Sequence, residues 1–431
     1  MRFVCRVSMC LSVLAAFAWA QALEDRQLSV VDVLIQRAVE RSRDLQALHQ
    51  RIAEAKGLQR QAGTKPVPTV EFNASTGRPL ATQGEEEYSA GYFYPVETAG
   101  KRQKRIRVAE KEVQLAQAEL DERVRQLAFE IKGRFADSVA EQRKLDAVDR
   151  LMQVNREEIR LTQARVEKGD VAPLERDLLA VEFSRAEALR SSILGRLAAA
   201  LLDLRRLAAL DPVETLNPRD FLAPPPSTIT ITELEQHAVK ARPDLLIARL
   251  LEEQGSASVD LAEADGKPNV TFAARYARRN SRFDDQFGLS SSGSLTPLRD
   301  RDDIVTVGIS IPLLNRKRNL GNIEAAGARL AGARLRREYL ERAIPIEVRA
   351  AWERFVAARR TLEVYDRGVV EQSEKNLNVS RQAYALGQLR ILDVLSEQRR
   401  LIDTQLAAID ARAEEARALA ELVRTVGGSL P

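Results

Sequence analysis

The sequence predicts a mostly helical protein with a small β part: one unit, present twice, of long antiparallel coiled-coil helices carrying a β-hairpin. Three observations predict it. Displaced by 200 positions, Leu34, Ala38, Val39, Asp44, Leu45, Pro68, Val70, Phe72 and Ala74 fall on Leu234, Ala238, Val239, Asp244, Leu245, Pro268, Val270, Phe272 and Ala274. At displacements of 217 to 218, Gly91 falls on Gly308, Pro95 on Pro312, Gly169 on Gly387 and Leu174 on Leu392. Each copy switches from a helical period to strict alternation and back. Charged residues make up 30% of the chain and aromatics only 5%, which suits long exposed helices better than a thick core.

The chain opens with Arg2 and Arg6, an apolar run from Leu11 to Ala18, then Ala18-Trp19-Ala20. This reads as a cleaved secretory signal over residues 1–20, the rival being a membrane anchor, for which the run falls short of the roughly 20 residues a span needs. Cys5 and Cys10 are the only cysteines and both lie in that signal, so no disulfide or thiolate site is expected after it. Cys10 precedes the apolar run and follows Met9, which argues against lipidation. The formal charge is +4, but cations alternate with anions along the helices and mark no nucleic-acid face.

The first copy (residues 21–210) begins with a helix from Leu28 to about Ala62, with Val30, Val33, Leu34, Ala38, Leu45, Leu48 and Ile52 at helical spacing. Gly63, Pro66 and Pro68 end it. Strands follow at about 68–77 and 88–96: Val70, Phe72 and Ala74 alternate with Glu71, Asn73 and Ser75, and Tyr88, Ala90, Tyr92 and Tyr94 with Ser89, Gly91 and Phe93. Two strands of about ten alternating residues fit a transmembrane hairpin, with a soluble hairpin as the alternative. From about Ala99 to Gln163 no proline intervenes, and Ile106, Val113, Leu120, Leu127, Phe135, Leu145 and Ile159 recur in heptad fashion. Such a helix reaches roughly 100 Å. Val171–Leu210 runs back beside it for about 60 Å, and the helix before the hairpin supplies roughly another 50 Å.

Residues 211–232 form a stiff linker through Pro224-Pro225-Pro226. The second copy (233–431) repeats the pattern, with strands at about 268–278 and 303–311 and a solvent-facing loop from Asn280 to Asp302. Ile231–Ala264 and Leu389–Val426 stand opposite one long helix, Arg316–Leu386, which Pro345 is expected to bend locally. Four strands cannot close a membrane barrel, since the smallest need about eight. Either the chain oligomerises or the strands are not membrane strands.

With this architecture the chain resembles the TolC family of outer-membrane efflux ducts over essentially its whole mature length. Two segments resemble the CzcC-type branch, which serves heavy-metal pumps: Pro95-Val96-Glu97-Thr98-Ala99-Gly100-Lys101-Arg102, and Ile311-Pro312-Leu313-Leu314-Asn315-Arg316 followed by Asn319-Leu320-Gly321-Asn322-Ile323. The chain departs at Thr98-Ala99, where a second glycine is expected beside Gly100. The resemblance implies a homotrimer whose twelve strands form an outer-membrane β-barrel continued by an α-helical periplasmic tunnel. It implies two partners, a periplasmic adaptor (membrane fusion protein) and an inner-membrane RND-type pump, in a Gram-negative envelope.

Catalysis is not expected. Only His49 and His237 remain outside the signal, unclustered, and Met152 is the one methionine beyond it, so neither a metal site nor a cofactor is expected. No phosphate loop, nucleophile elbow or paired-acid motif stands out.

Two repeated features are candidate sites. Lys101, Arg102, Lys104 and Arg105 open one long helix, and Arg316, Lys317 and Arg318 the other. Cations oppose the macrodipole there by about 0.3–1 kcal/mol each, which anionic headgroups are able to offset, while a plain solvated face is the alternative. The second feature is the glycine turn between long and short helices. Val166, Gly169 and Asp170 correspond to Tyr384, Gly387 and Gln388. Glycine is an ordinary helix stop. In the resembled family these turns are the periplasmic tip, where the adaptor docks, and Glu371 and Glu374 stand as a candidate acidic ring above it. The leading expectation is a passive exit duct for heavy-metal cations. The alternatives are a duct for drugs or secreted protein and, in another class, a soluble periplasmic coiled-coil adaptor or scaffold.

Overall fold

A computed structural model describes residues 30–76, 86–211, 214, 216, 218, 230–312 and 319–430. The proposed signal, the triple proline and Leu313–Arg318 lie outside the described residues. In chain order the elements are α1 (Val30–Arg41), α2 (Arg43–Ala62), β1 (Thr69–Thr76), β2 (Glu86–Val96), α3 (Lys101–Glu167), α4 (Pro173–Leu207), α5 (Ile231–Ala241), α6 (Pro243–Asp265), β3 (Val270–Leu289), β4 (Leu295–Ser310), α7 (Leu320–Val364), a π-helical turn (Tyr365–Val369), α8 (Val370–Ala385) and α9 (Ile391–Val426).

The chain divides into two compact units. One comprises His49–Glu119 and Asp244–Leu340 and holds the sheet; the other comprises Met1–Leu48, Leu120–Pro243 and Glu341–Pro431. In the sheet-bearing unit the strands pair antiparallel in the order β1-β2-β3-β4. Beside the sheet, Leu115 and Ala118 of α3 bury against Leu250 of α6. A side chain at Gly255 would meet the Leu330 backbone at 3.1 Å, so glycine lets α6 and α7 touch at that level.

In the helical unit the core is a stripe on α3 (Leu145, Ala147, Val148, Met152) closed by Ala186, Ile193 and Leu197 of α4 and Ile402 of α9. Helical spacing of the small and branched residues puts them on one side of each rod, while Arg and Glu fill the other sides.

Several elements differ from the sequence expectation. The first helix of each copy breaks, at Ser42 and at Arg242, again 200 positions apart. Pro243 forbids continuation in the second copy, and in the first Ser42 Oγ accepts from Leu45 N–H at 3.5 Å. The expected loop from Asn280 to Asp302 is instead the upper part of β3 and β4, closed by a short serine-rich turn. Its many charges suit a hairpin solvated on both faces, and a bulge between Phe283 and Phe287 switches the alternation, which hides the strands in the sequence. The one long helix expected over Arg316–Leu386 is interrupted at the π turn, where Gly368 has φ 111°, while Pro345 lies inside α7.

The corner from β2 into α3 turns on Ala99 (φ 59°) and Gly100 (φ 67°). Alanine in the left-handed region is strained, and the resemblance implies a second glycine beside Gly100 at this corner. Ala99→Gly should therefore stabilise the protein by about 0.5–1 kcal/mol, read as a higher urea midpoint for the vesicle-inserted protein. A lower midpoint would show that the alanine methyl contributes more than its backbone strain costs.

Candidate functional site

The sheet carries two chemically opposite faces. Register places Phe72, Ala90, Tyr276 and Val305 in one row across the four strands, and Tyr94, Phe272 and Ile309 in another. Val70, Tyr92, Ala274 and Val307 form a third row on that same face. Phe72, Val305 and Val307 are 80%, 73% and 79% exposed, far outside the range of core residues. The opposite face holds Glu71, Asn73, Ser89 and Thr306, with Arg279 paired to Glu87 at 3.0 Å. Along β2 the apolar face from Tyr88 to Val96 covers about 27 Å of strand, the height of a hydrocarbon band allowing for tilt.

At the β2–α3 corner the basic cluster has partners inside the protein. Lys101 is buried; its Nζ donates to the Lys267 carbonyl at 2.6 Å and to Asn269 Oδ1 at 2.8 Å. Lys104 donates to the Asp260 carbonyl at 2.8 Å, and Arg102 to the Gly63 carbonyl at 2.6 Å. Arg105 grips both oxygens of Glu97, and that hydrogen bond holds the carboxyl below its usual range. The Gly63 and Lys267 carbonyls follow the C-terminal ends of α2 and α6, whose partial negative charge offsets the cost of cations at the start of α3. Thr98 Oγ1 likewise donates to the Pro268 carbonyl. Arg316, Lys317 and Arg318 lie outside the described residues.

The two glycine turns have the same construction. Gly169 (φ 80°) donates to the Val166 carbonyl at 3.0 Å and Asp170 to Arg165 at 2.9 Å; Gly387 (φ 73°) donates to Tyr384 at 2.9 Å and Gln388 to Ala383 at 2.9 Å. Both are Schellman stops. Leu174, Leu386 and Leu392 around them are 64%, 74% and 55% exposed, an apolar fringe that packing within one chain does not explain.

Above the turns the two copies are tied by contacts that the sequence does not announce. The Tyr384 hydroxyl donates to Glu175 at the start of α4, and its ring packs on Leu179, Ile391 and Leu395. Burial, then that carboxylate, pushes the phenol up to about 12. Arg165 lies over the same ring at 5.8 Å. Arg381 pairs with Glu158 at 2.8 Å, although burial still raises the Glu158 carboxyl above its usual value. Glu182, held by Arg399, is instead lowered. These partners are separated by some 200 residues, and neither local pattern nor spacing points to them.

Glu371 pairs with Lys375 at 2.7 Å, one helical turn on, and Glu374 accepts from Gln405 at 3.1 Å. The candidate acidic ring is thus partly neutralised by its own helix. His49 is exposed, and His237 Nδ1 lies 3.4 Å from the Val426 carbonyl at the end of α9. Among the described residues no group of three or more His, Cys, Asp or Glu stands together as a metal site.

A family model described as outer membrane efflux protein matches residues 34–210 and 234–428. No curated protein sequence matches the chain. Among solved structures it is similar to the outer-membrane channel OprN, at 20% identity over 93% of this chain and 90% of that one, with a TM-score of 0.74. It is also similar to the outer membrane protein VceC of Vibrio cholerae (20% identity, 92% and 96% covered, TM-score 0.72). CusC, a transmembrane channel, aligns at 17% identity with 93% and 92% covered and a TM-score of 0.71. At these identities the structural likeness speaks for the fold.

Proposed function

The chain belongs to the outer membrane efflux protein family, and we propose that it serves as the passive, trimeric exit duct of a tripartite pump. It is not an enzyme. The observation that carries the reading is the open sheet with one apolar face: β1 and β4 each have a neighbour on one side only. An unpaired edge beside lipid leaves backbone donors and acceptors with no partner, at several kcal/mol each. A second copy laid edge to edge satisfies them, and three copies of four strands reach a size at which a barrel encloses water. The apolar face then meets lipid and the Glu71, Asn73, Thr306 face lines the lumen. A soluble scaffold has no use for such a face.

The cargo we propose is heavy-metal cations, supported by the resemblance of the two corner segments to the CzcC-type branch. The energy comes from an inner-membrane RND-type pump, reached through a periplasmic adaptor that docks at Val166, Gly169, Asp170, Tyr384, Gly387 and Gln388, with Glu371 and Glu374 drawing cations above the tip. Residues 1–20 are removed on export and the mature chain carries no lipid. The corner side chains Glu97, Thr98, Lys101 and Arg102 are engaged inside the protein, and the resemblance of the two segments carries the metal assignment.

Two measurements test this. Fractionation should recover the protein from outer-membrane extracts as a trimer; recovery in the soluble periplasm would end the duct reading. A deletion strain should lose tolerance to divalent cobalt, zinc, cadmium or nickel, or to copper or silver. Unchanged metal tolerance without a paralogue, joined to new sensitivity to drugs, would replace the metal cargo and keep the duct.

A further inference from the structure

Above the apolar band the β3–β4 hairpin sorts its charges by sign. β2 pairs with β3 only as far as Glu86 opposite Asn280, whereas β3 and β4 stay paired up to Leu289 opposite Leu295. The hairpin therefore rises past the four-stranded sheet, at the end away from the corner where β2 enters α3. Along its return strand the order is Arg299-Asp300-Arg301-Asp302. Successive side chains of a strand point to opposite faces. Arg299 and Arg301 thus share the face of Val305 and Val307, while Asp300 and Asp302 share the polar face of Thr306. All four are exposed.

The outward cations are not answered within the chain. The nearest carboxylate on their face, Asp303, is engaged by the Tyr276 hydroxyl at 2.6 Å and by Arg278 Nε at 2.8 Å. Across the strand pair Arg301 stands opposite Asn280 and Arg299 opposite Arg282, positions that supply no anion. Glu86 shares the row of Arg301 but lies two strands away, about 10 Å by strand spacing. Among the described residues neither the Arg299 nor the Arg301 guanidinium has a hydrogen bond or salt bridge.

Their height fits a layer of lipid headgroups. Tyr88, Arg278 and Asp303 form the row at which the apolar band ends. Arg301 and Arg299 follow roughly 7 and 14 Å farther along the strand. A strand tilt of about 40° brings that to roughly 5 and 10 Å above the band, where a long arginine side chain reaches the headgroups.

We propose that Arg299 and Arg301 bind the phosphate groups of the glycolipid in the outer leaflet, one such lipid to each protomer. A guanidinium donates paired hydrogen bonds to a phosphate, and two arginines one pleat apart on one face present two such forks. A bisphosphorylated glycolipid offers these anions without the balancing cation of a zwitterionic headgroup. Asp300 and Asp302, on the opposite face, repel the same headgroup and hold it to the outside. The inference rests on the exit-duct reading for which face meets lipid and which end of the sheet points outward.

Native mass spectrometry of the full-length trimer in neutral detergent reads it, with lipid A carrying both phosphates titrated against the same lipid dephosphorylated. The wild type should retain up to one phosphorylated molecule per protomer. It should bind that form about twentyfold more tightly than the dephosphorylated one, because each cation near an anionic headgroup contributes about fivefold. Arg299→Gln with Arg301→Gln should abolish the preference. Adding Asp300→Asn and Asp302→Asn to that variant restores the wild-type net charge and should restore no preference. Recovery there would overturn the site, since overall charge and not outward placement would hold the lipid. Equal binding of the two lipids by the wild type overturns it as well, and that comparison decides alone should the variants not assemble. Displacement of lipid A by millimolar inorganic phosphate at constant ionic strength would give the arginines to a soluble anion and remove the lipid. A trimer from outer-membrane extracts that ignores the phosphates overturns this inference and leaves the duct, whereas recovery in the soluble periplasm overturns both.

Discussion

Phe272→Arg is expected to abolish most membrane-inserted trimer. Phe272 lies on the apolar face one row from its middle, directly opposite Tyr94 on β2 and Ile309 on β4. An arginine facing lipid at mid-depth costs about 2–4 kcal/mol per protomer. In a closed trimer that penalty is met three times on the way to one barrel. Val307→Arg should behave in the same way, because Val307 is on the same face and 79% exposed. Thr306→Arg, one residue away, is the control: its side chain belongs to the polar face, and the trimer should form in near-normal amount. The measurement is the yield of heat-modifiable trimer in outer-membrane extracts. Normal trimer from Phe272→Arg, or equal loss from Thr306→Arg, would mean that the sheet does not face lipid in this sense.

That contrast between neighbours is legible in the amino-acid sequence because alternation is a two-residue signal and survives in short stretches. Val70, Phe72 and Ala74, or Val305, Val307 and Ile309, need no distant partner to be read as one face. The same signal fails above Arg278. There both faces of the β3–β4 hairpin are solvated, so the side chains no longer sort by polarity, and the bulge at Phe283 shifts the phase. The helices are legible as rods for the same kind of reason, since heptad spacing is local. What breaks them is less so. Proline at 345 is the louder signal in the sequence, yet it lies inside α7, whereas the break comes at Gly368, a lone glycine in a helical run.

Charge is the least legible part. The cations opening α3 read as exposed because their helix position looks unfavourable on its own. Lys101 instead answers the carbonyl end of α6, Lys104 the Asp260 carbonyl in its last two turns and Arg102 the end of α2, and the two lysine contacts exist only once the two copies fold together. Tyr384 stands out in the sequence for its place beside the glycine turn, but its carboxylate partner, Glu175, belongs to the other copy. Long-range pairs of this kind leave no periodic trace. The turns themselves do, since a glycine after an uninterrupted helical run has one ordinary explanation, and both have positive φ.

Those turns carry the second large effect. Val substituted at both Gly169 and Gly387 is expected to abolish efflux while sparing assembly. Each glycine sits at φ 80° or 73°, where a β-branched residue is strained by about 1–3 kcal/mol. Nothing lies within 4 Å of the space a Cβ would occupy at either position, so the penalty is backbone strain and not a clash. The chain relieves it by abandoning the left-handed turn, which releases the Asp170–Arg165 and Gln388–Ala383 hydrogen bonds. Exposed Leu174, Leu386 and Leu392 then lose their fixed arrangement, and with it the surface we assign to the adaptor. The stripe from Leu145 to Met152 and the sheet do not depend on those hydrogen bonds, so trimer yield should stay close to normal. Adaptor cross-linking through the tip should fall sharply and export should stop. Gly→Ala at the same two positions, strained less than valine, should give an intermediate loss, which separates a graded conformational effect from misfolding. If the double valine variant still cross-links to its adaptor and exports at the wild-type rate, the glycines are helix stops alone and docking uses another surface.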